Sequence, residues 1–190
     1  MRMDVVKNKD DRRHGRYTRL MRLRTLISLA STAFVVAACS GSGAADFSGD
    51  YTVTVTNDTN KCGFANWTDG QASTGITVSI SQDPTNMSVA QLNFTGLTAL
   101  YLDLVIGTHI FSGAKVSGNQ LDVTVLGTKT ATVQNTSCSY TVDSHLQITL
   151  TGNTINGTIA YTPRTNNDPG CGTLNACTNT QTISGARPAK

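Results

Sequence analysis

Histidine, aspartate and cysteine side chains carry most of the chemistry that this sequence offers, and few of them have catalytic spacing. His109 and His145 are the only histidines after residue 25, and each lies in a segment with strand-like character. Asp103 and His109 are close enough in sequence to approach each other, yet no serine or cysteine stands in a Gly-x-Ser-x-Gly context. The sequence contains no glutamate, and no two aspartates are marked out as a glycosidase pair. We therefore predict no catalytic residues and no enzymatic activity.

Four cysteines, Cys62, Cys138, Cys171 and Cys177, are predicted to form two disulfides, because an even number in an exported chain favours oxidation. If strand directions alternate along the chain, all four lie at one rim of the domain. Cys62 or Cys138 would then join the loop that carries Cys171 and Cys177, and a local link within that loop is the alternative. Zinc is disfavoured because the spacing lacks paired C-x-x-C motifs. We predict no metal and no cofactor.

The fifth cysteine, Cys39, ends an uncharged apolar segment that begins at Leu26 and follows Arg22 and Arg24. A basic region, a short apolar run and a small-residue cleavage site are typical of an export signal, too short to span a bilayer. Its tail, Val36-Ala37-Ala38-Cys39, resembles the bacterial lipoprotein box. This resemblance implies that the Cys39 thiol receives a diacylglyceryl group and that cleavage makes Cys39 the new N-terminus.

The resulting organisation is a lipoprotein signal peptide over 1–38, a lipidated cysteine and flexible tether over 39–46, and a single β-domain over 47–190. Met21 is a candidate for the true start, since it opens a signal of more ordinary length. Several acyl chains hold a protein stably on a membrane, so we expect a lipid-anchored protein of the bacterial cell envelope. In related lipoproteins an aspartate after the cysteine favours the inner membrane. Ser40 at that position favours the outer membrane.

Removing the signal reverses the net charge of the protein. The full sequence carries 15 basic and 12 acidic residues, but nine of the basic ones lie before residue 25. From Cys39 onward, six basic residues oppose nine aspartates, which gives a net charge of −3. The remaining chain has no basic patch with interleaved aromatic residues. Nucleic acid is therefore excluded as a partner, and the membrane is contacted through the lipid.

Alternating apolar and polar residues predict eight strands separated by turn residues. A domain rich in Thr, Asn, Ser and Gly disfavours long helices and favours strands with tight turns. The predicted strands cover residues 50–56, 75–82, 87–94, 109–116, 121–126, 139–150, 155–162 and 180–186.

One short helix is predicted between the third and fourth strands. Its apolar residues recur at i, i+3, i+4, i+7 and i+8, the spacing of one helical face. Thr95 is the candidate N-cap, and Gly107 is the candidate residue after the C-cap. The apolar positions are Leu97, Leu100, Tyr101, Leu104 and Val105.

Eight antiparallel strands that each bury one apolar face predict an all-β fold, either an up-and-down barrel or a β-sandwich. The opening Phe47-Ser-Gly-Asp-Tyr51 resembles the Gly-x-aromatic start of lipocalin and avidin-like barrels, and this resemblance favours the barrel. The residues expected to point inward are Val53, Val55, Ile76, Val78, Ile80, Val123 and Val125.

Two functions remain open from the sequence. The first is a non-catalytic surface or interaction module that contacts a protein or glycan through the cysteine-bearing loops 57–74 and 163–179. The alternative is a lipocalin-like carrier of a small apolar or amphipathic ligand, which requires a large accessible cavity. Trp67 is a candidate ligand or partner contact, or else it folds back to cover the rim.

Overall fold

The computed structural model describes residues 43–189. The predicted signal peptide, the start at Met21 and the lipidation site Cys39 lie outside these residues. The described part is an all-β domain with one α-helix, α1, and one 3₁₀ helix at Pro169–Ala176. The strands are β1 Gly49–Asn57, β2 Ala72–Asp83, β3 Asn86–Phe94, β4 Ile110–Ser117, β5 Gln120–Val125, β6 Ala131–Thr132, β7 Ser139–Thr151, β8 Thr154–Thr165 and β9 Asn179–Ala186, and α1 is Gly96–Val105.

Eight of these strands close into an up-and-down barrel, as predicted, and the sandwich alternative is wrong. All pairings are antiparallel, and neighbours in sequence pair from β1 to β5 and from β7 to β9. β9 pairs with β1, and β5 pairs with β7 from Gln120↔Thr149 to Val125↔Ser144. The two-residue β6 pairs only with Ser139 and Tyr140 at the start of β7, and it was not predicted. The closed ring leaves the barrel wall without a free strand edge.

The inward-facing side chains fill the barrel because the period of two places every second residue on the same face. The seven residues predicted to point inward are buried, except Val125, which is half-buried against the same core. Phe94 and Phe111 pack with ring centroids 5.3 Å apart and occupy the upper part of the interior. The lower interior is a packed core of aliphatic and aromatic side chains.

A bulge in β4 bends the wall where β3 and β4 pair. Leu92 pairs with Phe111 while Ala90 pairs with Ala114, so β4 holds one extra residue at this point. Gly113 takes a φ of +73° there, a left-handed conformation that favours glycine. The glycine lets the strand curve without turning Phe111 and Ala114 away from the core.

The two ends of the barrel differ because the short and long connections alternate along the chain. Turns of two residues join β2 to β3, β4 to β5 and β7 to β8, and all three lie at one end, called here the lower end. The four longer connections, which include α1 and the 3₁₀ helix, lie at the opposite end, called here the mouth. Both termini of the described chain lie at the lower end, where Ala45 N–H donates to Gly118 O and Arg187 N–H to Asn153 O.

The lower end is closed by Phe47, which is fully buried. Its N–H donates to the Gln82 side chain, and its carbonyl accepts from the Tyr51 hydroxyl at 2.9 Å. The Arg187 guanidinium lies 5.4 Å from the centre of the Tyr51 ring and donates to the carbonyls of Asp46 and Ser48. Residues 44–46 therefore lie against the barrel, so the end of the predicted tether is part of the domain.

Helix α1 forms where it was predicted, but it buries different residues. Ile106 is its C-cap, and Gly107 follows with a φ of +101°, while the side chain of Thr95 makes no capping bond. Leu102 and Ile106 point into the core, whereas Leu97, Leu100 and Leu104 are 85%, 67% and 75% exposed. The apolar stripe read from the sequence therefore faces mainly outward. Within residues 43–189, no helix is long and apolar enough to cross a bilayer.

Among the glycines of the barrel wall, Gly157 leaves the least room for a side chain, because the neighbouring strand approaches it closely. Gly157 pairs with Ile148 on β7 and with Ile183 on β9, and a Cβ placed on it would lie 2.0 Å from Gln147 O. We expect Gly157→Ala to lower the free energy of unfolding by about 2–3 kcal/mol, because the β7–β8 ladder must separate to admit the methyl group.

Urea unfolding followed by circular dichroism measures this loss. Gly43→Ala is the matched control, since a Cβ there meets no atom within 4 Å. Equal stability of Gly157→Ala and the wild type would show that the wall tolerates the added methyl group.

Candidate functional site

Two disulfides fix the loops at the mouth, as the even cysteine count predicted. Cys62 is bonded to Cys177, and Cys138 is bonded to Cys171. Both bridges run to the β8–β9 connection, so the local Cys171–Cys177 link is excluded. They close segments of 115 and 33 residues, which in the chain-entropy picture stabilises the fold by about 5 and about 4 kcal/mol. The cystines and Leu174 form a small second core above the barrel.

A buried asparagine holds the β1–β2 loop to the first residue of β9. Asn179 is fully buried, and its Oδ1 accepts a hydrogen bond of 2.9 Å from the N–H of Cys62. Its Nδ2 donates to Asn60 Oδ1, and Asn60 in turn holds both the N–H and the carbonyl of Phe64. Sequence reasoning missed Asn179 because an asparagine before a predicted strand is read as a turn residue.

Trp67 folds back over the mouth of the barrel. Its indole Nε1–H donates to Asp58 O at 2.7 Å, and its ring meets Tyr161 edge-on with centroids 6.0 Å apart. The side chain is half-buried against the main core. Its ring centroid lies 6.4 Å from that of Phe64. Of the two roles considered for Trp67, the structure shows the side chain folded over the rim, and the same ring also lines the cavities at the mouth.

A cavity of about 550 Å³ lies between the loops of the mouth and the barrel. Small-ligand sites typically occupy roughly 300–1,000 Å³ and combine an apolar lining with a few polar groups. The walls come from the β1–β2 loop, α1, the β5–β7 connection, β7, β8 and the 3₁₀ helix. Side chains on several of these elements converge on it, among them Trp67, Tyr101, Leu104, Lys129, Tyr140 and Tyr161.

A second cavity of about 290 Å³ lies on the β1–β4 side of the mouth. Trp67, Tyr101 and Tyr161 line both cavities, so these aromatic side chains stand at their boundary. Tyr161 donates to Gln181 Oε1 at 2.8 Å, and burial, with a smaller effect from Tyr101, raises its pKa well above the ordinary value. Burial also raises the pKa of Tyr101. Both phenols stay neutral at physiological pH. The Tyr161 proton is already donated to Gln181, so of the two only the Tyr101 hydroxyl is left to donate to a ligand.

The two histidines of the described residues each pair with an aspartate. His109 Nδ1 lies 2.9 Å from both carboxylate oxygens of Asp103, and in the described residues their side chains hydrogen-bond only to each other. His145 Nε2 lies 2.9 Å from Asp122 on the outer wall, where Gln147 also donates to that carboxylate. The Gln147 bond first, and then His145, lower the pKa of Asp122. Within 43–189, no three His, Cys, Asp or Glu residues converge as metal ligands.

One polar group in the barrel interior has no partner. Ser144 lies on β7, fully buried, one inward position below Val142 of the cavity wall. Its hydroxyl makes no hydrogen bond to any described residue. A buried hydroxyl without a partner destabilises the fold, and Ser144 lines neither cavity of the mouth.

Comparison with known proteins gives no relative. A scan against family models, a search of curated proteins and a search of solved structures found no match to this chain.

The hydrogen bonds of Asn179 make it a sensitive test of how the mouth is held. We expect Asn179→Leu to lower the free energy of unfolding by about 1–3 kcal/mol, because the buried N–H of Cys62 loses its acceptor. The β1–β2 loop should loosen as well, which would shift Trp67 emission to longer wavelength. Thermal unfolding and tryptophan fluorescence measure the two effects.

Asn156→Leu on the outer face of β8 is the matched control, since Asn156 is exposed and its side chain makes no hydrogen bond to a described residue. If both variants melt at the wild-type temperature with unchanged emission, Asn179 does not hold the loop.

Proposed function

We propose that this protein is an envelope-anchored, non-catalytic binding protein that carries a small amphipathic ligand at the mouth of its barrel. The cavity of about 550 Å³ is the observation that supports this most directly. A carrier needs an accessible cavity, whereas an interaction module does not, so the cavity moves the carrier ahead of the interaction module. The bound molecule rests on aromatic and aliphatic side chains and meets neutral hydroxyl groups, a combination that suits an amphipathic body. No cofactor or metal is part of this proposal.

The anchor in this proposal is the lipidated Cys39, inferred from the resemblance of Val36–Cys39 to a lipoprotein box. The chain from Cys39 to Gly43 can span at most roughly 14 Å when fully extended. Since Gly43 precedes residues bound to the lower end of the barrel, a lipid on Cys39 would hold that end near the bilayer. The mouth would then face away from the membrane that carries the protein, which leaves the cavity accessible. The outer membrane remains the favoured location because of Ser40.

The surface interaction module remains the second candidate. The exposed leucines of α1, Leu97, Leu100 and Leu104, favour it because an apolar helical stripe in solvent is typical of a contact surface. This surface lies at the mouth beside the long loops that were predicted to contact a partner.

Filling the cavity tests the carrier function. We expect the domain, residues 40–190, exported to a periplasm behind an ordinary secretory signal, to retain a small molecule in native mass spectrometry. Ala131→Trp should abolish that retention, because the new ring occupies the cavity that Ala131 lines. Ala72→Trp is the matched control, an exposed alanine that lines neither cavity. A wild-type domain recovered without any bound molecule would contradict the carrier and favour the interaction module.

Replacing the anchor residue tests the localisation separately. We expect Cys39→Ser to move the protein from the membrane fraction to the soluble envelope fraction, because no other lipid-accepting thiol is available. Cys62, Cys138, Cys171 and Cys177 are all held in disulfides. Fractionation of cells and mass measurement of the N-terminal peptide report the change. A variant that stays membrane-bound and lipidated would disprove the anchor.

A further inference from the structure

The cavity at the mouth has a single charged side chain in its lining. Lys129 is that residue, and the other lining groups of the 550 Å³ cavity are apolar or neutral. The second cavity has no charged residue in its lining. The site therefore combines aromatic and aliphatic side chains with neutral polar groups and one cation.

Lys129 is not neutralised by the protein. Among the described residues its ammonium group makes neither an ion pair nor a hydrogen bond, although the domain carries an excess of aspartates. Asp143, on β7 beside the same connection, accepts from Gly127 N–H at 2.8 Å and lies 3.6 Å from the Arg164 guanidinium. Asp103 on α1 is paired with His109. These two carboxylates are engaged elsewhere, and Lys129 is available to an external anion.

The backbone immediately before Lys129 is held by neighbouring elements. Gly127 O accepts from Arg164, and Thr128 N–H donates to Ile106 O at 2.7 Å at the end of α1. A Cβ on Gly127 would lie 2.2 Å from Val142 O, so this segment packs directly on β7. Lys129 therefore follows an anchored stretch of chain and stays at the edge of the cavity.

An apolar surface leads from solvent into the same chamber. Leu104 and Tyr101 line the cavity and are also 75% and 44% exposed, so they are continuous with the outward stripe of α1. Deeper in the mouth, Trp67 and Tyr161 present their ring surfaces. An apolar chain can thus contact protein from the rim to the aromatic boundary between the cavities.

We propose that the ligand is a single-chain amphiphile with an anionic head, whose apolar chain lies among the aromatic side chains of the mouth and whose head pairs with Lys129. This rests on the proposed carrier function and specifies its ligand. A cationic head would meet a like charge and no carboxylate in the lining. A neutral head would leave Lys129 without a counter-charge.

The only tryptophan of the protein makes the test direct, because Trp67 lines both cavities and its fluorescence reports their occupancy. The domain of residues 40–190 is suited to this measurement, since its core lies wholly within residues 47–183. The probes are dodecanoate, dodecanol and dodecyltrimethylammonium, which share one chain length and are used below their micelle concentrations. We expect dodecanoate to bind most tightly and the ammonium compound most weakly.

Lys129→Met removes the charge and keeps most of the side-chain length. We expect it to weaken dodecanoate binding about fivefold, the effect of one partly exposed ion pair, and to leave dodecanol binding unchanged. Lys115→Met on the outer face of β4 removes the same charge without touching either cavity and should bind dodecanoate like the wild type. Dodecyl phosphate is a further probe that distinguishes a phosphate head from a carboxylate head. Tighter binding of either anion than of dodecanol supports the proposal.

The two proposals fail in different ways. If all three probes bind with equal affinity and Lys129→Met changes none of them, the anionic head is wrong and the carrier function stands. If no probe changes Trp67 emission or the melting temperature, the carrier function fails with it. Equal melting temperatures of the unliganded variants show that a loss of binding is not a loss of folding.

Discussion

The pairing of β5 with β7 is the interaction on which the rest of the structure depends. It joins the two ends of an eight-stranded ladder, so that no strand of the wall keeps an unpaired backbone edge. Closure also separates an inside from an outside, which is why residues that alternate along each strand sort into a packed interior and a polar surface. The connection between these strands lies at the mouth, and it carries both Lys129 and Cys138. The closure that completes the barrel therefore also supplies part of the candidate site.

The mouth is open because the protein places all its long connections at one end. At the lower end, two-residue turns and the buried ring of Phe47 leave no space. At the mouth, the longer loops are joined to one another by two disulfides and by the hydrogen bonds of Asn179. A small domain with short loops would gain stability by closing both ends. Here the cross-linked loops surround a cavity instead, so that packing is absent. Loops around a cavity on a rigid scaffold are the usual arrangement of a binding site.

The sequence predicted the features that depend on residues close together in the chain, namely the strands and the tight turns. Every strand of the barrel wall was found because its apolar residues alternate, and the two-residue turns were marked by Gly, Asn and Pro. The face of α1 was misread, because a helix that crosses a barrel mouth buries Leu102 and Ile106 against the core while its longer apolar stripe stays outside. The sequence left three disulfide pairings open, since connectivity depends on which loops meet. The cavity was not predicted for the same reason: its lining comes from six separate elements.

The filled interior restricts what a carrier of this kind can hold. In a barrel of eight strands the inward side chains are just able to fill the lumen, and here residues from Phe47 upward do so. A ligand therefore cannot descend along the barrel axis, and its apolar part must lie across the mouth between α1 and the disulfide-linked loops. Contacts with the rim then contribute more to ligand affinity than depth of burial does, because one end of the ligand stays near solvent. A charge at the rim such as Lys129 discriminates between head groups in that geometry, whereas a deep apolar pocket would discriminate only by length and shape.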